Sequence, residues 1–500
     1  MVKFSRERLI LAWTFLFGLL AHGYCYFNLS YSHDSVMVRQ GDVLMQITVG
    51  RFLHLPYVRF RGDLYNPALV GALSLLFLGL AVCLMVRLLD IKHKVLTVLV
   101  TGILTANVTV TLTNASYIQD VDMYMLSLLL AAAGVYVCVR FRYGCFLAPV
   151  FFCLSLGFYQ AYFQAAVFLA MVFVVKRILD QAEPREILKT GLRLVGSLLL
   201  GLILYSVVLQ IVLKITHLTL LSTYGMGGAA KYESLAEMLL YLFRTYKFVL
   251  SYFLRPIAHL GGMTAVLNIG ILTLSLALLG FFVRQKHIRG WNLFFLAAVL
   301  CLMPFGINVV YFISHGEEHH LMIYAFFLTY LFAAFLADRF LEEHPLPRFR
   351  RIVEFALPCA LAFLLFDNVV YASQVYLKKD LEYQTTVFTM TRIVDRLEQL
   401  EGYVPGETPV AIVGQLEDSA VSLVRPGLGD LSGATGLWKN FSVTYYETYA
   451  TFLQRILGYP VNILPQQESA GWAERASGLP AFPAPGSCAM LDGTAVIKLS

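Results

Sequence analysis

Apolar runs, each long enough to cross a bilayer as a helix, recur through the first three quarters of this 500-residue chain. A hydrocarbon core of ~30 Å takes ~20 helical residues to span. Lipid offers the backbone no hydrogen-bond partners, so runs of this kind are helices. A transmembrane β-barrel needs short segments of alternating polarity instead, and none is visible. Composition agrees: 58% of the residues are hydrophobic and 14% charged, where a soluble domain carries roughly 25% charged residues. The chain therefore reads as an α-helical polytopic membrane protein.

Candidate spans fall at 9–28, 67–87, 95–113, 123–139, 145–158, 162–175, 194–213, 263–283, 293–313, 321–338 and 352–372, about eleven helices in all. The stretch from Phe146 to Val175 is too long for one crossing and short for two. The turn Gly157-Phe158-Tyr159-Gln160-Ala161-Tyr162 divides it into two short helices. Lys and Arg in the short loops set the orientation. One set of loops holds Lys3, Arg6 and Arg8, then Arg87, Lys92 and Lys94, and continues through Arg284, Lys286 and Arg289 to Arg350 and Arg351. The alternate connections 114–122, 157–161 and 314–320 contain no Lys or Arg. The N-terminus is thus expected in the cytoplasm, and an odd number of spans puts the C-terminus outside. The first run is too long for a signal-peptide core and no small-residue cleavage site follows it, so it reads as a retained helix.

The outer connections are distinctive. Residues 29–66 read as a loop of polar and aromatic character. A second long loop, 214–262, includes an amphipathic stretch at 235–257, where Arg244, Lys247 and Arg255 suit a helix lying along the interface. After Ala372 the hydropathy falls. An amphipathic helix is expected over 378–401, a strand over 409–413, a helical stretch over 445–457 and a strand over 461–464. A last hairpin pairs 488–491 with 495–499 through Asp492-Gly493, a strong turn signal. The expected organisation is a membrane domain over 1–372 and a small extracytoplasmic α/β domain over 373–500. The eight cysteines lack metal-ligand or disulfide spacing and read as small apolar fillers. No nucleotide-binding glycine pattern is present, and the net charge of +6 resides in loops, so nothing points to nucleic acid.

Polar groups gather at the outer boundary in three places. Asp34 follows the first helix, in Ser32-His33-Asp34-Ser35, with Arg39 and Gly50-Arg51 in the same loop. Asp120 and Asp122 sit in the turn before the fourth helix, where carboxylates are also favoured by the helix dipole. The third group is His315-Gly316-Glu317-Glu318-His319-His320. Glu317, His319 and His320 also admit a metal reading, although adjacent helical residues point ~100° apart. The third helix is unusually polar, from Thr105 and Asn107 to Thr113 and Asn114, as befits a span facing a bundle interior or hydrated cavity. A glutamine between two tyrosines, Tyr159-Gln160-Ala161-Tyr162, suits sugar hydroxyls.

These features together resemble the type II O-antigen glucosyltransferases, the serotype-converting kind. The acid after the first helix, Gly50-Arg51, the Asp120 and Asp122 turn and the Gly157 to Tyr162 turn carry the resemblance. So does the tail, Pro483-Ala484-Pro485-Gly486-Ser487 and the segment from Asp492 to Ser500. Many such enzymes carry two adjacent acids in the first loop, whereas here His33 precedes Asp34. The resemblance implies a GT-C fold in a bacterial plasma (inner) membrane. It also implies transfer of a sugar, by expectation glucose, from a polyprenyl-phosphate donor to an extracytoplasmic glycan or cell-wall polymer. By that likeness Asp34 is the base, with Asp120 and Asp122 as further catalytic acids. Arg39, Arg51, His319 and His320 are the candidates for the donor phosphate, Arg being suited to bidentate contact. Tyr159, Gln160, Tyr162 and Glu317 are the candidates for sugar or acceptor. A single displacement inverts the anomeric centre, and a divalent metal is left open. The rival classes are a polysaccharide polymerase or ligase, expected to rely on arginines in a large outer loop, and a lipid-linked oligosaccharide flippase, expected to show charged or broken helices at the midplane.

Overall fold

The computed structural model describes residues 5–29, 43–62, 66–221, 232–316, 319–343, 347–414 and 450–500. Its helices begin with α1 (Arg6–Phe27), α2 (Val43–Thr48), α3 (His54–Arg61), α4 (Pro67–Leu89), α5 (Lys94–Thr105) and α6 (Val108–Tyr117). Next come α7 (Val121–Arg140), α8 (Gly144–Phe158), α9 (Phe163–Leu179), α10 (Pro184–Thr216), α11 (Leu235–Leu254) and α12 (Gly261–Gln285). The series ends with α13 (Gly290–Ile307), α14 (Val309–Ile313), α15 (Tyr324–Glu343), α16 (Pro347–Arg351), α17 (Leu357–Glu398) and α18 (Gln466–Ala470). Among the described residues, 10 helical runs are long and apolar enough to cross a membrane, α5 with α6 counting as one. The shorter apolar α8 brings every expected span to a helix. This is a polytopic helical membrane protein.

By contact the chain divides into two compact units. One takes in α1, Val43–Asn114 and Gln119–Ser373; the other takes in Ala115–Ile118 and Gln374–Ser500. In the first unit, burial separates two kinds of helix. Helix α15 is buried along nearly its whole length, from Tyr324 to Leu341. Helix α10 instead exposes Leu192, Val195, Leu199, Ile203, Val207 and Ile211, a stripe at three- and four-residue spacing. Soluble monomers rarely leave so long an apolar surface uncovered, and lipid is its natural solvent. Helices α1 and α4 approach closely through small residues. A Cβ at Gly71 would enter the Tyr26 ring, and one at Gly79 would lie 2.8 Å from Leu11. Small residues at such crossings let helix backbones pack in lipid.

The third expected span is broken at Ala106-Asn107 rather than continuous. A break at membrane depth frees carbonyls that lipid cannot satisfy, and here the protein supplies donors. Tyr324 donates to the Leu104 carbonyl at 3.0 Å, and the His22 ring nitrogen lies 3.0 Å from that of Thr105. Asn107 caps both halves: its amide nitrogen bonds Ile103 and Leu104, and its oxygen accepts from Val110. The threonines that make this span polar turn inward and donate to carbonyls four residues back, Thr101 to Thr97 and Thr105 to Thr101. The ninth span is likewise interrupted, at Asn308, between α13 and α14. The expected first loop contains helices α2 and α3, and the last span continues without a stop into the amphipathic helix expected over 378–401.

In the second unit a four-stranded sheet has the order β2 (Asn462–Ile463), β1 (Pro409–Val413), β4 (Thr494–Lys498), β3 (Cys488–Leu491). Strand β1 runs parallel to both neighbours, with Val410 opposite Ala495. The β3–β4 hairpin turns at Asp492 and Gly493, φ 46° and 76°, the double positive φ that Asp-Gly tolerates. Met390, Ile393 and Leu397 of α17 pack onto Val410, Ile412, Phe452 and Ile497. The expected strand over 461–464 shortens to two residues, and the helical stretch over 445–457 is described only from 450.

Candidate functional site

Gly50 starts the site. Its φ of 84° lies in the left-handed region, and the backbone there is held from two sides. Tyr205 of α10 donates to the Gly50 carbonyl at 3.1 Å, and Gln160 donates to the Val49 carbonyl at 2.9 Å. Gln160 also donates to the Tyr205 hydroxyl at 2.9 Å. Three residues on, Leu53 N bonds the Gly157 carbonyl at 3.1 Å, fixing the turn of α3 against the end of α8. The chain direction set at Gly50 then leads through Arg51 into α3, where His54, Tyr57 and Arg61 recur at spacings of three and four. That is one face of a helix.

This face meets the start of α7. His54 Nε2 lies 3.1 Å from Asp120 Oδ1, with the two side chains 4% and 2% exposed. Arg61 donates to Asp122 Oδ1 at 2.6 Å, the side chains being 6% and 0% exposed. Tyr57 donates to Asp122 Oδ2 at 2.9 Å, and the Met123 amide donates to Oδ1 at 2.9 Å. Both oxygens of Asp122 are therefore engaged. A charge removed from water so completely is tolerated only with this kind of pairing. Burial, with the Asp122 carboxylate beside it, holds the Tyr57 hydroxyl well above the ordinary phenol range, so it remains a donor.

Arg51 lies over aromatic faces. Its guanidinium carbon is 4.8 Å from the Tyr159 ring centre and 5.6 Å from that of Tyr124, and these two rings stack at 4.2 Å. Its Nη1 donates to Gln46 at 3.0 Å and to the Tyr124 hydroxyl at 3.2 Å. The cation is thus held in one orientation before any ligand arrives. Tyr162 continues the aromatic row, edge-on to Tyr159 and to Tyr324.

The match to known families decides the class. Residues 23–337 match the glucosyl transferase GtrII family. The chain belongs to the glucosyl transferase GtrII family. It is a membrane glycosyltransferase, and this is the type II O-antigen glucosyltransferase family that its motifs resemble. No curated protein and no solved structure matches the chain. All the clustered residues of this glucosyltransferase lie within the matched stretch.

Of the residues nominated from sequence, Asp120, Asp122, Arg51, Tyr159 and Gln160 come together, and Tyr162 joins them through Tyr159. Asp34, Arg39 and Glu317 lie outside the described residues. His319 and His320 are placed by other contacts: the His320 carbonyl accepts from Thr109 at 2.8 Å, and that of His319 accepts from Met322 N at 2.8 Å. Burial, with His319 next to it, lowers the His320 ring below its usual range, so that ring is neutral at neutral pH. Among the described residues no group of three or more His, Cys, Asp or Glu side chains could hold a metal ion. Sequence reading missed His54, Tyr57, Arg61, Tyr124 and Tyr205. The first three carried a signal, their helical spacing from Arg51, inside a segment read as loop.

Gly50 offers a direct test of the framework in the glucosyltransferase. A Cβ there would collide with the Tyr205 hydroxyl and lie 2.6 Å from Gln160 Nε2. Left-handed backbone adds a further penalty of about 1–2 kcal/mol for any L side chain. Gly50→Ala is expected to lose about 10-fold or more in transfer and to lower the thermal midpoint, measured on purified protein in detergent. Wild-type values for both would show that the Gly50 turn is unimportant.

Proposed function

We propose that the protein transfers glucose from a polyprenyl-phosphate carrier to a glycan on the extracytoplasmic side, as a modifier of O-antigen or a related cell-envelope polymer. The observation that carries this reading is the preorganised Arg51, held over Tyr159 and Tyr124 beside a buried polar cluster, in a chain of the GtrII family. A lipid donor loses a phosphate monoester, whose growing charge an oriented guanidinium stabilises. Tyr159, Gln160 and Tyr162 suit the sugar, in keeping with the general preference of pyranose faces for aromatic rings and amides. Arg39 is a second candidate for the phosphate, as are His319 and, through hydrogen bonding in its neutral form, His320. Glu317 is a candidate for the acceptor.

Asp34 is assigned as the base that takes the acceptor hydroxyl proton. The oxygen then bonds the anomeric carbon as the carbon–oxygen bond to phosphate breaks, and the electron pair leaves with the phosphate. One displacement inverts the anomeric centre. Asp120 and Asp122 organise the cluster around this reaction. In this reading the protein sits in the bacterial plasma membrane with its N-terminus in the cytoplasm and the unit from Gln374 to Ser500 outside. The test is expression in cells that make polyprenyl-phosphate-glucose, followed by sugar analysis of the surface glycan. Glucose should appear with the protein and vanish when donor synthesis is removed. Glucosylation that persists without the lipid donor would sink the proposal.

A further inference from the structure

The buried imidazole of His54 has one satisfied nitrogen and one unsatisfied nitrogen. A carboxylate only accepts, so Nε2 carries the proton toward Asp120 Oδ1, at 3.1 Å. Nδ1 is then left with a lone pair, the remaining role in a neutral ring. It is buried and meets no donor among the described residues. Two more acceptors in the same cluster share this condition, Gln119 Oε1 beside Asp120 and Gln160 Oε1 beside Gly50. Buried polar groups are satisfied as a rule, and an exception calls for a missing partner. Arg61 Nε is a buried donor without an acceptor among the described residues. The His54 Nδ1 acceptor calls for a ligand group that donates, as a sugar hydroxyl does.

We propose that His54 Nδ1 accepts a hydrogen bond from one hydroxyl of the transferred sugar, with Asp120 holding the ring in the required tautomer. This makes His54 a specificity-determining residue, and the assignment rests on the glucosyl-transfer reading. A site built to bind a hydroxyl discriminates strongly against an analogue that lacks it, because its own buried acceptor is left bare.

Two substitutions separate the two ring nitrogens. His54→Gln places its amide where Nε2 lies, keeps the bond to Asp120 and deletes the Nδ1 acceptor. His54→Asn places a polar atom near Nδ1 and gives up the bond to Asp120. Purified wild type and both variants would be assayed with polyprenyl-phosphate-glucose and its 2-, 3-, 4- and 6-deoxy analogues. Wild type is expected to lose about 10- to 100-fold in kcat/KM at one deoxy position. His54→Gln should be about equally slow with glucose and with that analogue. Two results overturn the assignment: a wild type indifferent to every deoxy position, or a His54→Gln that keeps wild-type discrimination while only His54→Asn is impaired. In the second case the ring would serve only to anchor α3. A wild type inactive with every donor overturns the glucosyl-transfer reading, and this assignment falls with it.

Discussion

Asp122→Ala is expected to destabilise the protein by about 3–5 kcal/mol, the cost of leaving the partner of a buried ion pair uncompensated. Asp122 is 0% exposed and Arg61 6%, so removal of the carboxylate strands a guanidinium with almost no access to water. The same change removes the acceptor of the Tyr57 hydroxyl and of the Met123 amide. Asp122→Asn should fall close behind, because an amide can still accept from Tyr57 but cannot neutralise Arg61. Asp120→Asn should cost less, since its partner His54 can meet a neutral acceptor without a stranded charge. Equilibrium unfolding in detergent with all three variants checks the order. A loss below about 1 kcal/mol for Asp122→Ala is the value for a solvated surface pair, and would contradict the burial on which this account depends.

Asp34→Asn is expected to slow transfer by about 10²–10⁴-fold with little change in KM, the range associated with a positioned general base. The amide keeps the size of the carboxylate and removes its basicity. Selective loss of kcat therefore reports proton transfer rather than binding. Arg51→Lys provides the contrast, since Lys keeps the charge but loses the planar fork and its fit over Tyr159. That variant should raise KM for the lipid donor as well as lower kcat. If Asp34→Asn stays within about threefold of wild type, the base lies elsewhere, and Asp120 is the next residue to test.

Much of the fold was legible because lipid imposes one rule on every apolar run. Length and hydropathy located every candidate span among the described residues, and the Gly157 to Tyr162 turn split a stretch that no single helix could accommodate. The breaks at Asn107 and Asn308 were not legible. The first depends on donors from distant helices, Tyr324 and His22, and no local pattern announces either. Part of the candidate site was legible too: Asp120, Asp122, Arg51, Tyr159 and Gln160 were singled out from residue type and position alone, and the structure brings them into one cluster. Helix α3 was missed because it is eight residues long, lacks an apolar periodicity and presents a polar face inward. Its amphipathicity is inverted relative to a soluble helix, since His54, Tyr57 and Arg61 point toward carboxylates rather than water. The pairing of Asp120 with His54 and Asp122 with Arg61 bridges more than 60 positions of sequence, beyond the reach of any spacing argument. In the second unit, β1 and the hairpin turn followed from local signals, whereas the β2–β1–β4–β3 order depends on a parallel crossover that the sequence pattern alone does not define.

The most direct test of the central claim is glucose transfer by the purified, reconstituted protein from synthetic polyprenyl-phosphate-glucose, measured beside a nucleotide-linked glucose as sole donor. Transfer to an envelope glycan is expected from the lipid donor and none from the nucleotide sugar. Transfer from the nucleotide sugar alone, or from neither donor with the glycans of a cell that makes the lipid donor, would contradict it.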